Sequence, residues 1–133
     1  GTGRKVGLTG LFAMMQAETF GGGYRVAPGM HPFGDSSRIV LGFGLSKVQM
    51  LFVMGPLEKG KHVGKWGKIT MEPCKTFEIR ALDENGEPTL ERGHDPPLYI
   101  SLDGEISITT PVKFDFHSNV LNVRGGDNPP NKE

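Results

Sequence analysis

Apolar and polar positions alternate along much of this chain with a period of two, the spacing of half-buried β-strands. The clearest case surrounds Asp103-Gly104. Leu98, Ile100 and Leu102 alternate before it, and Ile106 and Ile108 alternate with Ser107 and Thr109 after it. Asp-Gly between two such runs predicts a hairpin. A two-residue loop, Asp103-Gly104, would pair Leu102 with Glu105 and set Ile100 against Ser107, mixing apolar and polar residues on both faces. A three-residue loop, Asp103-Gly104-Glu105, pairs Leu102 with Ile106 and Ile100 with Ile108 and leaves one face wholly apolar. A one-residue slip turns every side chain over. The three-residue loop is therefore the preferred reading, with Gly104 or Glu105 in an unusual backbone conformation or a bulge beside them. Asp103 and Glu105 then stand at the exposed end of a ladder. Local sequence alone favours a plain solvated turn there.

The rest of the chain follows the same pattern. Residues 7–18 are an apolar run of Leu8, Leu11, Phe12, Ala13, Met14 and Met15, in which Gly7 and Gly10 weaken a helix and favour a strand. Gly21-Gly22-Gly23 permits positive backbone dihedrals. Tyr24-Arg25-Val26 reads as extended and Pro28 ends it, so no helix aims its amino end at an anion. The glycines are thus a tight bend between strands rather than a P-loop or dinucleotide fingerprint. A loop with His31, Pro32, Gly34 and Asp35 leads into a strand over 38–43, with Ile39, Leu41 and Phe43 on one face and Val40 on the other.

One helix is expected at about residues 46–55. Ser46 caps it, Gln49 completes a capping box, and Gly55-Pro56 stops it. Val48, Leu51, Phe52 and Gly55 share a face, the expected core contact. Met50, Phe52 and Met54 are candidates for lining a lipid site, a lesser expectation than core packing. Further strands are read over 69–71, 76–82, 112–116 and 120–123. The connection through 83–97 is long, which marks functional or mobile loops. Eight to ten strands and one helix at this spacing predict a mostly β, antiparallel β-sandwich-like domain.

Composition narrows the function classes. The 133 residues suffice for one domain with its own core. Lysine plus arginine equals aspartate plus glutamate at 15 each, which argues against a uniformly basic nucleic-acid binder. Cys74 is alone, so no internal disulfide forms, and a reducing, cytoplasmic setting is expected. One cysteine with His31, His62, His94 and His117 gives no zinc spacing, and no serine or cysteine catalytic set can be assembled. No apolar run is long enough for a bilayer span. Lys59, Lys61, His62, Lys65 and Lys68 surround Trp66, a mixture suited to phosphate or to peripheral contact with an anionic membrane, though solvated connectors are the commoner use. Gly1-Thr2-Gly3 has neither an initiator methionine nor a signal-peptide shape, so the chain is expected to begin inside a longer protein.

Three stretches occur together and in order: Gly21-Gly22-Gly23-Tyr24-Arg25-Val26-Ala27-Pro28; Asp35 leading into Ile39-Val40-Leu41, the helix and Gly60-Lys61-His62; and Leu102-Asp103-Gly104-Glu105 followed by 112–123. In this order they resemble the C-terminal domain of the diacylglycerol kinase and sphingosine kinase superfamily of lipid kinases, over roughly residues 8–124. The resemblance implies a β-sandwich over 1–124 with a polar tail over 125–133. It implies a lipid pocket shared with an N-terminal nucleotide-binding domain of the same parent chain, ATP and Mg2+ as cofactors, and a lipid alcohol as substrate. It places Asp103, Gly104 and Glu105 at the nucleotide phosphates, with Glu105 as proton acceptor and Asp103 orienting magnesium through water. It also points to Asp35 as a metal ligand, although Asp35-Ser36 stands where the family has Asp-Gly. The family's Gly-Gly-Asp-Gly nucleotide motif is absent from this chain. The expected function is therefore half of a lipid kinase, inactive alone. The alternative is a non-catalytic β-sandwich that binds lipid or protein.

Overall fold

The computed structural model describes residues 3–83, 85–87, 98–102, 104–118 and 120. Among them are seven strands and one α-helix. In chain order these are β1 (Thr9–Met15), β2 (Ser37–Phe43), α1 (Lys47–Glu58), β3 (Ile69–Cys74), β4 (Thr76–Ile79), β5 (Tyr99–Leu102), β6 (Glu105–Thr109) and β7 (Val112–Asp115). The mostly β, antiparallel character expected from the alternation is present. The final expected strand over 120–123, most of the 83–97 connection and the 125–133 tail lie largely or wholly outside the described residues.

β1, β2 and β3 form one antiparallel sheet in that order. Its register sets Ala13 beside Val40 and Val40 beside Met71, while Phe12 neighbours Leu41 and Leu41 neighbours Thr70. Alternate side chains leave a sheet on opposite sides. Leu11, Ala13, Met15, Val40, Ile69 and Met71 therefore share one face, and Phe12, Met14, Ile39, Leu41 and Phe43 the other. The first face joins Val26 and Ala27 from the glycine segment and Val53 and Leu57 from α1 in the main core. On the second face, Phe12 lies 5.8 Å from Phe77, which stacks on Phe114 at 4.9 Å. Phe77 and Phe114 are directly opposed in the separate β4–β7 pair. This aromatic file links the three-stranded sheet to the β4–β7 pair.

The capping box forms as expected: Gln49 N donates to Ser46 Oγ at 3.2 Å, and Ser46 N donates to Gln49 Oε1 at 3.0 Å. The helix boundary differs from expectation. α1 does not stop at 55 but continues to Glu58 with Pro56 inside it. Proline forfeits one helical hydrogen bond. Burial of Val53 and Leu57, one turn apart, holds this last turn against the sheet and outweighs that loss.

The buried face of α1 differs too. Val48, Leu51 and Phe52 are 61%, 73% and 67% exposed, whereas Val53 and Leu57 are buried. The helix is apolar nearly all round, so periodicity offers two competing stripes. Tertiary anchors at its start choose between them. Leu45 sits over Gly42, where an added Cβ would lie 2.8 Å from Leu45 Cδ1. Lys68 Nζ donates to Gly44 O at 2.7 Å and to Gln49 Oε1 at 3.1 Å. Both fix the rotation with which the helix leaves β2.

Candidate functional site

The acidic hairpin is built by β5 and β6. Leu102 pairs with Glu105, Ser101 with Ile106, and Ile100 with Ile108. The loop is therefore the two-residue form rather than the preferred three-residue one. An irregularity between Ile100 and Ser101 then shifts the register, and Ile100 meets Ile108 as expected. The bulge resolves the conflict between a tight turn and an apolar face by inserting an extra residue into β6. Gly104 takes φ +90, the left-handed conformation that the turn requires and glycine permits. Asp103 lies outside the described residues.

Glu105 opens β6 and is exposed. Beside it are two uncovered apolar side chains, its cross-strand partner Leu102 at 40% and its chain neighbour Ile106 at 73% exposure, while Leu98 at 50% and Tyr99 at 68% are uncovered toward the other end of the pair. The hairpin is tied at its far end, where Thr110 N donates to Leu98 O at 3.0 Å and Leu98 N donates to Thr110 Oγ1 at 3.2 Å. An isolated two-stranded pair is marginal in water. A carboxylate at the tip of such a pair, with open Leu102 and Ile106 beside it, can accept a proton from a hydroxyl carried on an apolar molecule.

The glycine segment is the tight bend expected from the sequence. Phe20 N donates to Tyr24 O at 2.9 Å across it, and Gly21 and Gly23 have φ of +45 and +95. Two features that hold it escaped sequence reasoning. Glu18 accepts from Gly29 N at 3.0 Å and from Arg25 Nε at 3.0 Å and Nη2 at 2.5 Å, clamping both ends of the bend. The Gly29 amide, with the Arg25 guanidinium, holds the Glu18 carboxyl below the usual carboxylate pKa. Opposite charges flanking the glycines were the available signal.

The second feature is His62, whose side chain is fully buried. Its Nε2 lies 3.0 Å from Val26 O. A carbonyl only accepts, so Nε2 carries the proton and the neutral ring leaves Nδ1 as a bare lone pair. Nδ1 is buried without a hydrogen-bond partner among the described residues. Burial pushes the His62 pKa below its ordinary value, outweighing the Val26 bond, which acts upward. Gly60 reinforces the joint: at φ +67, an added Cβ would lie 3.2 Å from Pro28 Cβ and 3.3 Å from Arg25 Cβ. The structure thus brings Gly60-Lys61-His62 onto the glycine segment, whereas β5–β6 forms a sheet of its own among the described residues.

Asp35 is exposed in the loop before β2. Among the described residues, no group of three or more His, Cys, Asp or Glu side chains stands together to hold a metal ion. Lys59, Lys61 and Lys65 are exposed, and Lys68 is half-buried in the α1 cap. Among the described residues, no helix is long and apolar enough to cross a membrane. Comparisons with protein-family models, curated proteins and solved structures return no match.

Proposed function

We propose that this chain is the C-terminal half of an ATP-dependent lipid kinase that phosphorylates a lipid alcohol such as sphingosine or diacylglycerol. In this reading the N-terminal nucleotide-binding domain of the parent chain supplies ATP, and the fragment is inactive alone. The parent works in the cytoplasm, peripheral at membranes. The observation that carries the reading is Glu105 at a hairpin tip beside uncovered Leu102 and Ile106, on a hairpin that also leaves Leu98 and Tyr99 uncovered. These uncovered groups along the hairpin suit both an apolar substrate and a missing opposite wall. The joint between Gly60-Lys61-His62 and the glycine segment supports it, because two of the three resembling stretches pack together.

Glu105 would take the proton of the attacking hydroxyl, while ATP with Mg2+ supplies the phosphoryl group and its charge compensation. The proton is the part of the chemistry that this half contributes. Glu105→Gln in the full-length parent should lower turnover roughly 10²–10⁴-fold, the usual contribution of a general base, with no change in folding. Undiminished turnover would overturn the assignment. The isolated chain should show no phosphorylation of a lipid alcohol with ATP, and turnover there would refute its inactivity. A second reading, a non-catalytic lipid- or protein-binding sandwich, is favoured by the open face of α1. In that reading Glu105→Gln leaves ligand affinity unchanged.

A further inference from the structure

We infer that the outer face of α1, together with the lysine segment that follows it, docks onto an anionic lipid bilayer surface. The inference deepens the lipid-kinase reading and rests on it for choosing a lipid surface over a protein one. The face itself is a physical anomaly. Val48, Leu51 and Phe52 lie on one side of the helix at spacings of three and four residues and are all more than half exposed. Val53 and Leu57 hold the opposite side against the sheet, so this stripe has no structural duty in the core. Exposed apolar groups in contiguous array mark interaction sites.

The charges around the face indicate its partner. Residues 47–68 carry Lys47, Lys59, Lys61, Lys65 and Lys68 against one acid, Glu58. Lys47, Lys59, Lys61 and Lys65 are exposed. Among the described residues the ion pairs are Lys5–Glu72, Arg25–Glu18, Arg80–Glu78 and Lys113–Asp115, and none uses these lysines. At about 100° per residue, Lys59 projects from the same side of the helix as Phe52 and Gly55. The chain as a whole is balanced in charge, so this local excess is specific. An apolar helix face bordered by lysines matches an interface whose headgroups are anionic and whose interior is hydrocarbon.

The segment beyond the helix adds a third feature. Trp66 is held at φ +52, a left-handed conformation costly for a bulky residue, between Gly64 and Gly67 at φ +81 and +64. It remains 45% exposed, with Val63, three residues before it, at 37%. Tryptophan is favoured where headgroups meet hydrocarbon. It is also the only tryptophan in the sequence and so reports its own environment.

The test is co-sedimentation of the 133-residue chain with vesicles of phosphatidylcholine, alone or mixed with phosphatidylserine, with Trp66 emission recorded in parallel. Binding should require phosphatidylserine, weaken with salt and shift the emission to the blue. Leu51→Ser with Phe52→Ser should reduce binding by about tenfold or more without altering the melting curve, because neither side chain is in the core. Lys59→Gln, Lys61→Gln and Lys65→Gln should each reduce it by about fivefold. Three outcomes overturn the inference: no phosphatidylserine-dependent binding, full binding by the double serine variant, or lipid-free dimerisation abolished by that variant, which assigns the face to a second copy. The vesicles need neither ATP nor the parent chain, so failure here is separable from failure of the Glu105→Gln kinase assay.

Discussion

The buried imidazole of His62 donates through Nε2 to the carbonyl oxygen of Val26 at 3.0 Å, across 36 residues of sequence. Its other nitrogen has no hydrogen-bond partner among the described residues, and burial lowers the His62 pKa. Protonation would force a second buried N–H donor and a charge into the core. Because the folded pKa lies below the unfolded value of about 6.5, the unfolded chain binds the proton more readily. Stability is therefore fully present above that pH and falls as pH drops from it toward the folded pKa, by at most about 1.4 kcal/mol per pH unit. Urea unfolding midpoints measured from neutral pH downward should show this slope. His62→Gln, which can still donate to Val26 O, should remove that component. An unchanged slope in the variant would assign it to other groups.

Gly60 is constrained twice, by its positive φ and by the nearness of Arg25 and Pro28. Gly60→Ala should cost about 1–3 kcal/mol, combining left-handed strain with overpacking. Gly55→Ala, with open space at its Cβ position, should be neutral or mildly stabilising. Equal midpoints for the two variants in denaturant titrations would contradict the joint described between the Gly60 segment and the glycine bend.

The two stripes of α1 make opposite predictions. Leu57→Ala removes a buried side chain and should cost about 2–5 kcal/mol. Leu51→Ala removes an exposed one and should stay within about 0.5 kcal/mol of the parent. Reversal of this order in equilibrium unfolding would show that the helix packs on its other side.

Glu18 secures the glycine bend through Gly29 and Arg25. Glu18→Gln weakens the charged half of that clamp. The bend over residues 20–29 should then be cleaved faster under limited proteolysis, while the β1–β2–β3 sheet keeps its protection. The parent should approach this behaviour only in acid, since the lowered carboxyl pKa preserves the clamp until pH falls to that value. Identical digestion of the two proteins at neutral pH would argue that the backbone bonds alone hold the bend.

What each stretch of sequence revealed followed from how local its determinants were. Ile39, Leu41 and Phe43 fall on one side of β2 because period-two alternation is a property of the strand itself. Ser46 and Gln49 are three residues apart, and their reciprocal capping bonds need nothing beyond one turn. The glycine bend was likewise readable, since positive φ at Gly21 and Gly23 is a local steric matter. The hairpin was half readable: Gly104 took the turn, but the bulge that realigned Ile100 with Ile108 reflects competition between turn and pairing.

By itself the sequence determined a mostly β chain, its main strand positions, one capped helix and an acidic turn, because near neighbours and sterics settle those choices. Only the tertiary structure decided which stripe of α1 is buried, that Pro56 stays helical, and that His62, Glu18 and Gly60 lock the glycine segment. Those outcomes depend on what lies across the core from each residue. An apolar side chain carries no label for its partner, and a buried lone pair becomes visible only when the groups around it are in place.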